Sequence, residues 1–147
     1  MNLDNQLCFT IYACFREISR LYRPILDPLG ITYTQYLALL ALWERDGLTL
    51  KELGQRLYLD SGTLTPLMKK LESMGFITRK RSSEDERKVL IQLTEEGRKF
   101  KDIACQIPVK LVQQSGLTQE ELSHLMGEAR HLLARVQEAS RGMQDRS

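Results

Sequence analysis

Asp60-Ser61-Gly62-Thr63-Leu64-Thr65-Pro66-Leu67-Met68-Lys69-Lys70-Leu71-Glu72 is the stretch on which the fold turns. At helical spacing Leu64, Leu67, Met68 and Leu71 share one face, which leaves Gly62, Thr65, Pro66, Lys69 and Ser73 on the opposite one. Pro66 lacks an N–H and crowds the preceding turn, so the regular helix either starts near Thr63 or bends at Pro66. Gly75 ends the helix. Two runs of strand-forming residues follow, Phe76 to Arg81 and Lys88 to Leu93, joined by the polar tip Ser82-Ser83-Glu84-Asp85-Glu86-Arg87.

Upstream, Thr49-Leu50-Lys51-Glu52 is a capping box opening a short helix with Leu50, Leu53 and Leu57 inward. Before it, Thr32-Tyr33-Thr34-Gln35 opens a helix that carries Tyr36, Leu37, Leu40 and Trp43 and ends around Asp46-Gly47. Helix, tight connection, helix and basic hairpin is the order of a winged helix-turn-helix, expected over about residues 32–97. The expected class is therefore mainly α with a small β-hairpin wing.

The chain has 147 residues, a formal charge of +2 and 42% hydrophobic residues, enough for one folded unit over 1–147 with its own core. From Lys69 to Lys88 seven basic side chains face four acidic ones, so this short segment exceeds the whole chain in positive charge. A solvated basic face diluted by Glu84 to Glu86 is the bland alternative. Element order and charge location together favour double-stranded DNA. The second helix suits the major groove, where Ser61, Gly62, Thr63, Thr65, Pro66, Lys69 and Lys70 reach base edges or phosphates. On the hairpin, Arg79 and Arg81 add charge, Arg87 is placed to enter a narrow minor groove, and Asp85 to brace it.

From Asp4 to about Leu26 the pattern is helical, with the apolar stripe Leu7, Ile11, Cys14, Ile18, Leu21 and Ile25 beside Cys8, Tyr12, Phe15, Ser19 and Tyr22. A wide, aromatic buried face is expected there. Thr94-Glu95-Glu96-Gly97 caps a helix to about Gln113, disturbed at Pro108, and Thr118-Gln119-Glu120-Glu121 caps another to about Arg141, leaving 142–147 as a tail. No basic leader precedes an apolar run and no stretch is long enough to span a bilayer, so a cytoplasmic protein without membrane contact is expected.

The three cysteines, Cys8, Cys14 and Cys105, are odd in number and lack metal-site spacing, so no metal, cofactor or disulfide framework is expected. With Asp4 as N-cap, Cys8 falls just past the first turn, where the helix dipole favours thiolate. Tyr12, one turn on, is a candidate hydrogen-bond donor to the sulfur. Tyr22 is fourteen residues from Cys8, about 21 Å along a helix, so only another part of the fold or a second subunit brings them together. Cys14 reads as a small buried hydrophobe, and Cys105 as either that or a resolving thiol. A thiol peroxidase is the rival of a different class; His124 and His131 lie far along the last helix with no nucleophile-base arrangement, so no catalytic residue is assigned.

Asn5-Gln6-Leu7-Cys8-Phe9 with Tyr12, Tyr22-Arg23-Pro24, Ile31 to Leu39, Leu57 to Leu67 and Asp85-Glu86-Arg87 closely resemble the OhrR branch of the MarR family, the organic-hydroperoxide-sensing repressors. The resemblance spans about Leu3 to Gly97. It implies a homodimeric repressor whose N- and C-terminal helices, about 3–30 and 98–141, intertwine as the dimer interface on a near-palindromic operator. It also implies that Cys8 is the sensor of organic hydroperoxide, with Tyr22 and Tyr33 reaching its thiolate from the partner subunit. The resolving cysteine of two-cysteine members would fall near Gln113, and Cys105 lies about two turns earlier. A disulfide to Cys105 and a mixed disulfide with a small cellular thiol therefore both stay open. Within the same family the alternative is a regulator released by a noncovalent aromatic ligand, with its cysteines incidental.

Overall fold

In the computed structural model, which describes residues 1–146, the first helix begins later than its sequence suggests. The Asn2 side chain accepts from the Asp4 amide at 3.0 Å and closes a short 3-10 turn, Leu3–Asn5. α1 (Leu7–Leu26) then starts from Gln6, which contributes no side-chain cap. Asp4 is therefore not the N-cap, and Cys8 is the second residue of α1, inside its first turn.

Side-chain caps set the next helices where the sequence places them. Thr32 and Gln35 exchange hydrogen bonds of 2.9 and 3.3 Å at the start of α2 (Tyr33–Glu44), and Thr49 and Glu52 do so at 3.1 Å at the start of α3 (Leu50–Leu57). Asp60 Oδ1 accepts from the Thr63 amide at 2.7 Å and opens α4 (Ser61–Ser73). Of the two options left by Pro66, the start near Thr63 is thereby excluded. Pro66 lies in the helix interior, and the bond an ordinary residue would donate to the Gly62 carbonyl cannot form there.

The hairpin strands β2 (Ile77–Arg81) and β3 (Val89–Leu93) are joined by a third, β1 (Leu48–Thr49), in the antiparallel order β1-β3-β2. A two-residue strand is too short for any periodicity to announce it. Leu48 stands opposite Ile91, and Ile77 opposite Leu93, so inward residues of all three strands meet. They close over Leu39 and Leu42 of α2, Leu53 of α3, and Leu64, Met68 and Leu71 of α4, all fully buried.

Polar ties fasten the wing's base to α2. Asp46 Oδ1 accepts from the amides of Gly47 and Leu93, both at 2.8 Å, and Trp43 Nε1 donates to the Gly97 carbonyl at 2.9 Å. Thr94 caps α5 (Glu95–Ala104) through the Gly97 amide and donates its hydroxyl to the Gly75 carbonyl at 2.6 Å. The disturbance expected at Pro108 is a complete break at Cys105. Pro108 sits in the first turn of α6 (Gln106–Ser115), and a proline ring crowds the carbonyl four residues back, here that of Ala104, where α5 ends.

Chain contacts divide the described residues into two compact units, one of Met1–Leu111 and a second from Val112 onward. The second is dominated by α7 (Gln119–Arg146), which continues through 142–146 where a tail was expected, and none of its residues is buried. In the first unit, the broad buried face expected on α1 is mostly open. Only Ile25 and Leu26 enter the core, whereas Leu7, Ile11, Tyr12, Phe15 and Ile18 are exposed and Cys14 is exposed beside them. The stripe is as the sequence draws it, but a single chain does not cover it. Among the described residues no single helix is long and apolar enough to cross a membrane.

Gly97 gives the most direct check on this packing. A Cβ there would run into the Phe76 carbonyl oxygen, a backbone atom that cannot swing aside. Gly97→Ala is expected to lower stability by about 1–3 kcal/mol in urea unfolding; an unchanged midpoint would show that α5 does not approach the wing's base this closely.

Candidate nucleic-acid interface and thiol site

Burial divides α4 cleanly. Leu64, Met68 and Leu71 are inside, while Ser61, Gly62, Thr63, Pro66, Lys69 and Lys70 are exposed and Thr65 is half-buried. The hydroxyl and ammonium groups thus form one outward surface at and after the helix N-terminus, where backbone N–H groups favour anions. Hydrogen bonds from the Thr63 backbone and side chain hold the Asp60 carboxyl below its ordinary range, so the cap is an anion at neutral pH.

On the wing, Arg79, Lys80, Arg81 and Arg87 occupy different settings. Arg87 projects from the tip with 91% of its side chain exposed, and Asp85 Oδ1 accepts from the Arg87 amide at 3.0 Å and from Nε at 3.4 Å. Lys80 is exposed on the same hairpin. Arg81 Nη1 donates to the Glu86 carbonyl at 2.9 Å, tying the strand to the tip. Arg79 is turned inward, donating from Nη2 to Glu72 Oε1 at 3.1 Å. Glu72 did not stand out in the sequence, although an acidic residue in the last turn of a helix has the wrong sign for the dipole and signals a basic partner.

The thiol end of α1 is open. Cys8 is exposed, and Tyr12 one turn on is exposed too, its ring 6.4 Å from Phe9 and 5.9 Å from the Arg16 guanidinium. Tyr22 and Tyr33 do meet, but at the other end of α1: their ring centroids are 4.7 Å apart, with Tyr36 6.2 Å from Tyr22 and Phe15 5.8 Å from Tyr33. Since Cys8 and Tyr22 belong to one helix, the chain keeps its own thiol and its own tyrosine pair apart. Tyr36, which the sequence suggests only as core, is buried and belongs to this cluster.

Burial, with the neighbouring Tyr33 and Tyr36, pushes the Tyr22 phenol up from 10.0 to about 12. Burial likewise raises Tyr33, and burial and Tyr33 together raise Tyr36. At neutral pH all three are hydroxyls, able to donate a hydrogen bond. Cys105 lies at the break between α5 and α6, exposed, its thiol donating to the Asp102 carbonyl at 3.0 Å. All three cysteines are free thiols. Among the described residues no group of His, Cys, Asp and Glu is arranged to hold a metal ion.

Comparison with known proteins places this geometry. A family model described as the transcriptional regulator SarA/Rot matches residues 20–103. The chain is 56% identical over 125 residues to the organic hydroperoxide resistance transcriptional regulator of Bacillus subtilis strain 168, covering 85% of each. Among solved structures it resembles reduced AbfR bound to DNA, with a TM-score of 0.74 and 37% identity over 91% of this chain and 93% of that one. AbfR, a protein of Staphylococcus epidermidis, has also been solved overoxidised and bound to DNA; that structure gives a TM-score of 0.72 at 36% identity, covering 91% of this chain and 94% of the other. The fold is shared with MarR itself at 21% identity and a TM-score of 0.76, covering 90% and 98% of the two chains.

The tyrosine cluster has a pH signature. A phenol whose pKa is raised in the fold stabilises it fully below the unfolded value, and that contribution is lost as pH climbs through the folded value. For Tyr22 the window runs from 10.0 to about 12. Tyrosinate absorbance should therefore show a late-titrating phenol that vanishes in Tyr22→Phe, with stability falling across the same window; a single titration of all tyrosines near the ordinary value would contradict the cluster.

Proposed function

Since the chain belongs to the MarR family of transcriptional regulators, in the branch of the organic hydroperoxide resistance regulators, we propose that it is a homodimeric repressor released from its operator when an organic hydroperoxide oxidises Cys8. In this reading residues 1–147 act as one regulatory domain in the cytoplasm, and the protein is consumed stoichiometrically as a sensor with no enzymatic turnover.

The observation that carries it is the placement of Cys8 and the Tyr22–Tyr33 pair at opposite ends of one helix whose apolar side is uncovered. Two copies of α1 running antiparallel about a two-fold axis cover Leu7, Ile11, Phe15 and Ile18 and set each thiol against the other copy's tyrosines. Exposed Leu125, Leu133 and Val136 on α7 supply further apolar surface for the same dimer. A dimer presents two α4 helices and two wings, as a near-palindromic duplex with two half-sites requires. Ser61, Gly62, Thr63, Thr65, Pro66, Lys69 and Lys70 then face the major groove, Arg87 the minor groove, and Asp85 fixes Arg87. Arg81 supports the tip.

The first step needs no reactant beyond the oxidant and a proton from solvent. The deprotonated Cys8 sulfur attacks the terminal oxygen of ROOH; as the O–O bond breaks, the alkoxide leaves and takes a proton from solvent, giving ROH and Cys8 sulfenic acid. A small cellular thiol then condenses with the sulfenic acid, expelling water and leaving a mixed disulfide; Cys105 is the alternative second thiol. Before oxidation, hydroxyls of Tyr22 and Tyr33 donate to the sulfur anion. Oxidation removes that acceptor and adds bulk. Tyr33 is the first residue of α2, and α2 packs on α4, so displacing it disturbs the lobe that holds the recognition helix.

A second reading, release by a noncovalent aromatic ligand, is favoured by an open groove of about 580 Å³ lined by Leu37, Leu40, Trp43, Leu57, Tyr58 and Lys101. The thiol separates the two. Cys8→Ser is expected to fold, bind the operator as wild type does, and stay bound when organic hydroperoxide is added, whereas Cys14→Ser still responds. Normal peroxide-induced release of Cys8→Ser would remove the sensor assignment and leave the ligand reading ahead. Loss of release in Cys105→Ser would choose the internal disulfide over the mixed one. Tyr22→Phe and Tyr33→Phe should slow the response. For the interface, Arg87→Ala should weaken operator binding by about 1–3 kcal/mol, measured by titration at fixed salt.

A further inference from the structure

The geometry points to Arg79 as a positioning residue: its ion pair with Glu72 is a strut that sets the angle between wing and recognition helix, and it does not contact DNA. This inference rests on the DNA-binding reading above and gives one of its basic residues a different task. Arg79 stands in β2 at the position two after Ile77, hence on the same side of the strand, and it pairs across the sheet with Ile91; Ile77 and Ile91 are 1% and 0% exposed. Its side chain is only 28% exposed, against 91% for Arg87 on the same hairpin. Nη2 reaches Glu72 Oε1 at 3.1 Å, and Nε is covered with no hydrogen-bond partner among the described residues.

An arginine meant for phosphate would stand clear of the sheet, where its guanidinium stays hydrated until DNA arrives. This one is held toward the core side and has given up the hydration of one N–H without replacement, which costs free energy. Glu72 compensates. It lies in the last turn of α4, where the helix carbonyls repel a carboxylate, so each member of the pair makes the other tolerable there. Together they span the turn at Gly75 that links the recognition helix to the wing. The strut's consequence is pre-organisation. Helix and tip must engage neighbouring grooves at once, and a wing held at one angle does not lose that freedom on binding.

The test uses the full-length dimer, with a duplex selected by wild-type protein from a random-sequence library. Glu72→Ala removes a negative charge beside the proposed interface, so simple electrostatics makes it bind DNA more tightly. A strut makes it bind about tenfold more weakly, with Glu72→Gln, which loses the same charge but keeps an acceptor oxygen, recovering most of the loss. Arg79→Met should weaken binding by a similar factor in wild type and by less than about twofold in an Arg87→Ala background, because both act through the tip. Without DNA, amide exchange across Thr78 to Arg81 should speed up in Glu72→Ala and return toward wild type in Glu72→Gln.

Equal or tighter binding by Glu72→Ala, additive effects of Arg79→Met and Arg87→Ala, or unaltered exchange would each overturn the strut. Glu72 is the more exposed partner, so its variants keep the test readable should Arg79→Met not fold. If wild type selects no duplex, the DNA-binding reading fails, and the exchange measurement still decides by itself whether the pair holds the wing.

Discussion

Leu64, Met68 and Leu71 of α4 are completely buried among α2, α3 and the sheet, and the orientation of every other functional group in the lobe follows from that burial. Each such side chain contributes about 1.5–3 kcal/mol when removed from water. With that face committed, a helix of thirteen residues has its remaining surface turned outward, and the hydroxyl and lysine side chains have nowhere else to point. The same core takes Ile77, Ile91 and Leu93, so the wing's root is built on the packing that holds the helix. Asp46 and Trp43 then add directional hydrogen bonds to a contact that is otherwise directionless.

The N-terminal helix works under the opposite constraint. Only Ile25 and Leu26 are buried in the core, with Tyr22 packed against it, and over most of its length the apolar side stays exposed. Cys8 is at the open end and the tyrosine cluster at the packed end. A helix cannot fold back on itself, so within one chain the two stay apart. In the proposed dimer, that separation is what ties sensing to the second subunit. Tyr33 extends the link, because it touches Tyr22 and begins the helix that packs on α4.

Much of this was legible in the sequence where a local rule and the final structure coincide. The boxes at Thr32, Thr49 and Thr118 and the strand-forming run from Lys88 to Leu93 rest on residues a few positions apart, and all form. What escaped depends on competition or on distant neighbours. Asp4 loses its capping role because Asn2 closes an earlier turn, and β1 exists only because β3 offers Leu48 an edge. For Pro66 the sequence left two options open, and the cap at Asp60, which no periodicity announces, decides for the helix interior. Arg79 reads only as added charge on the wing, and strand phase and the place of Glu72 are what show it turned inward.

The central claim, that thiol and tyrosines meet across the dimer, is tested most directly by mixing two inactive chains. In a heterodimer of Cys8→Ser with a Tyr22→Phe/Tyr33→Phe chain, a site shared between subunits becomes wild type once: the intact Cys8 of one chain faces the intact tyrosines of the other. Intact-mass measurement of Cys8 oxidation by limiting organic hydroperoxide is expected to give a wild-type rate in the heterodimer and a slow rate in the Tyr22→Phe/Tyr33→Phe homodimer. Equal, slow oxidation in both would contradict the account, because it would mean that Cys8 draws nothing from the partner's tyrosines.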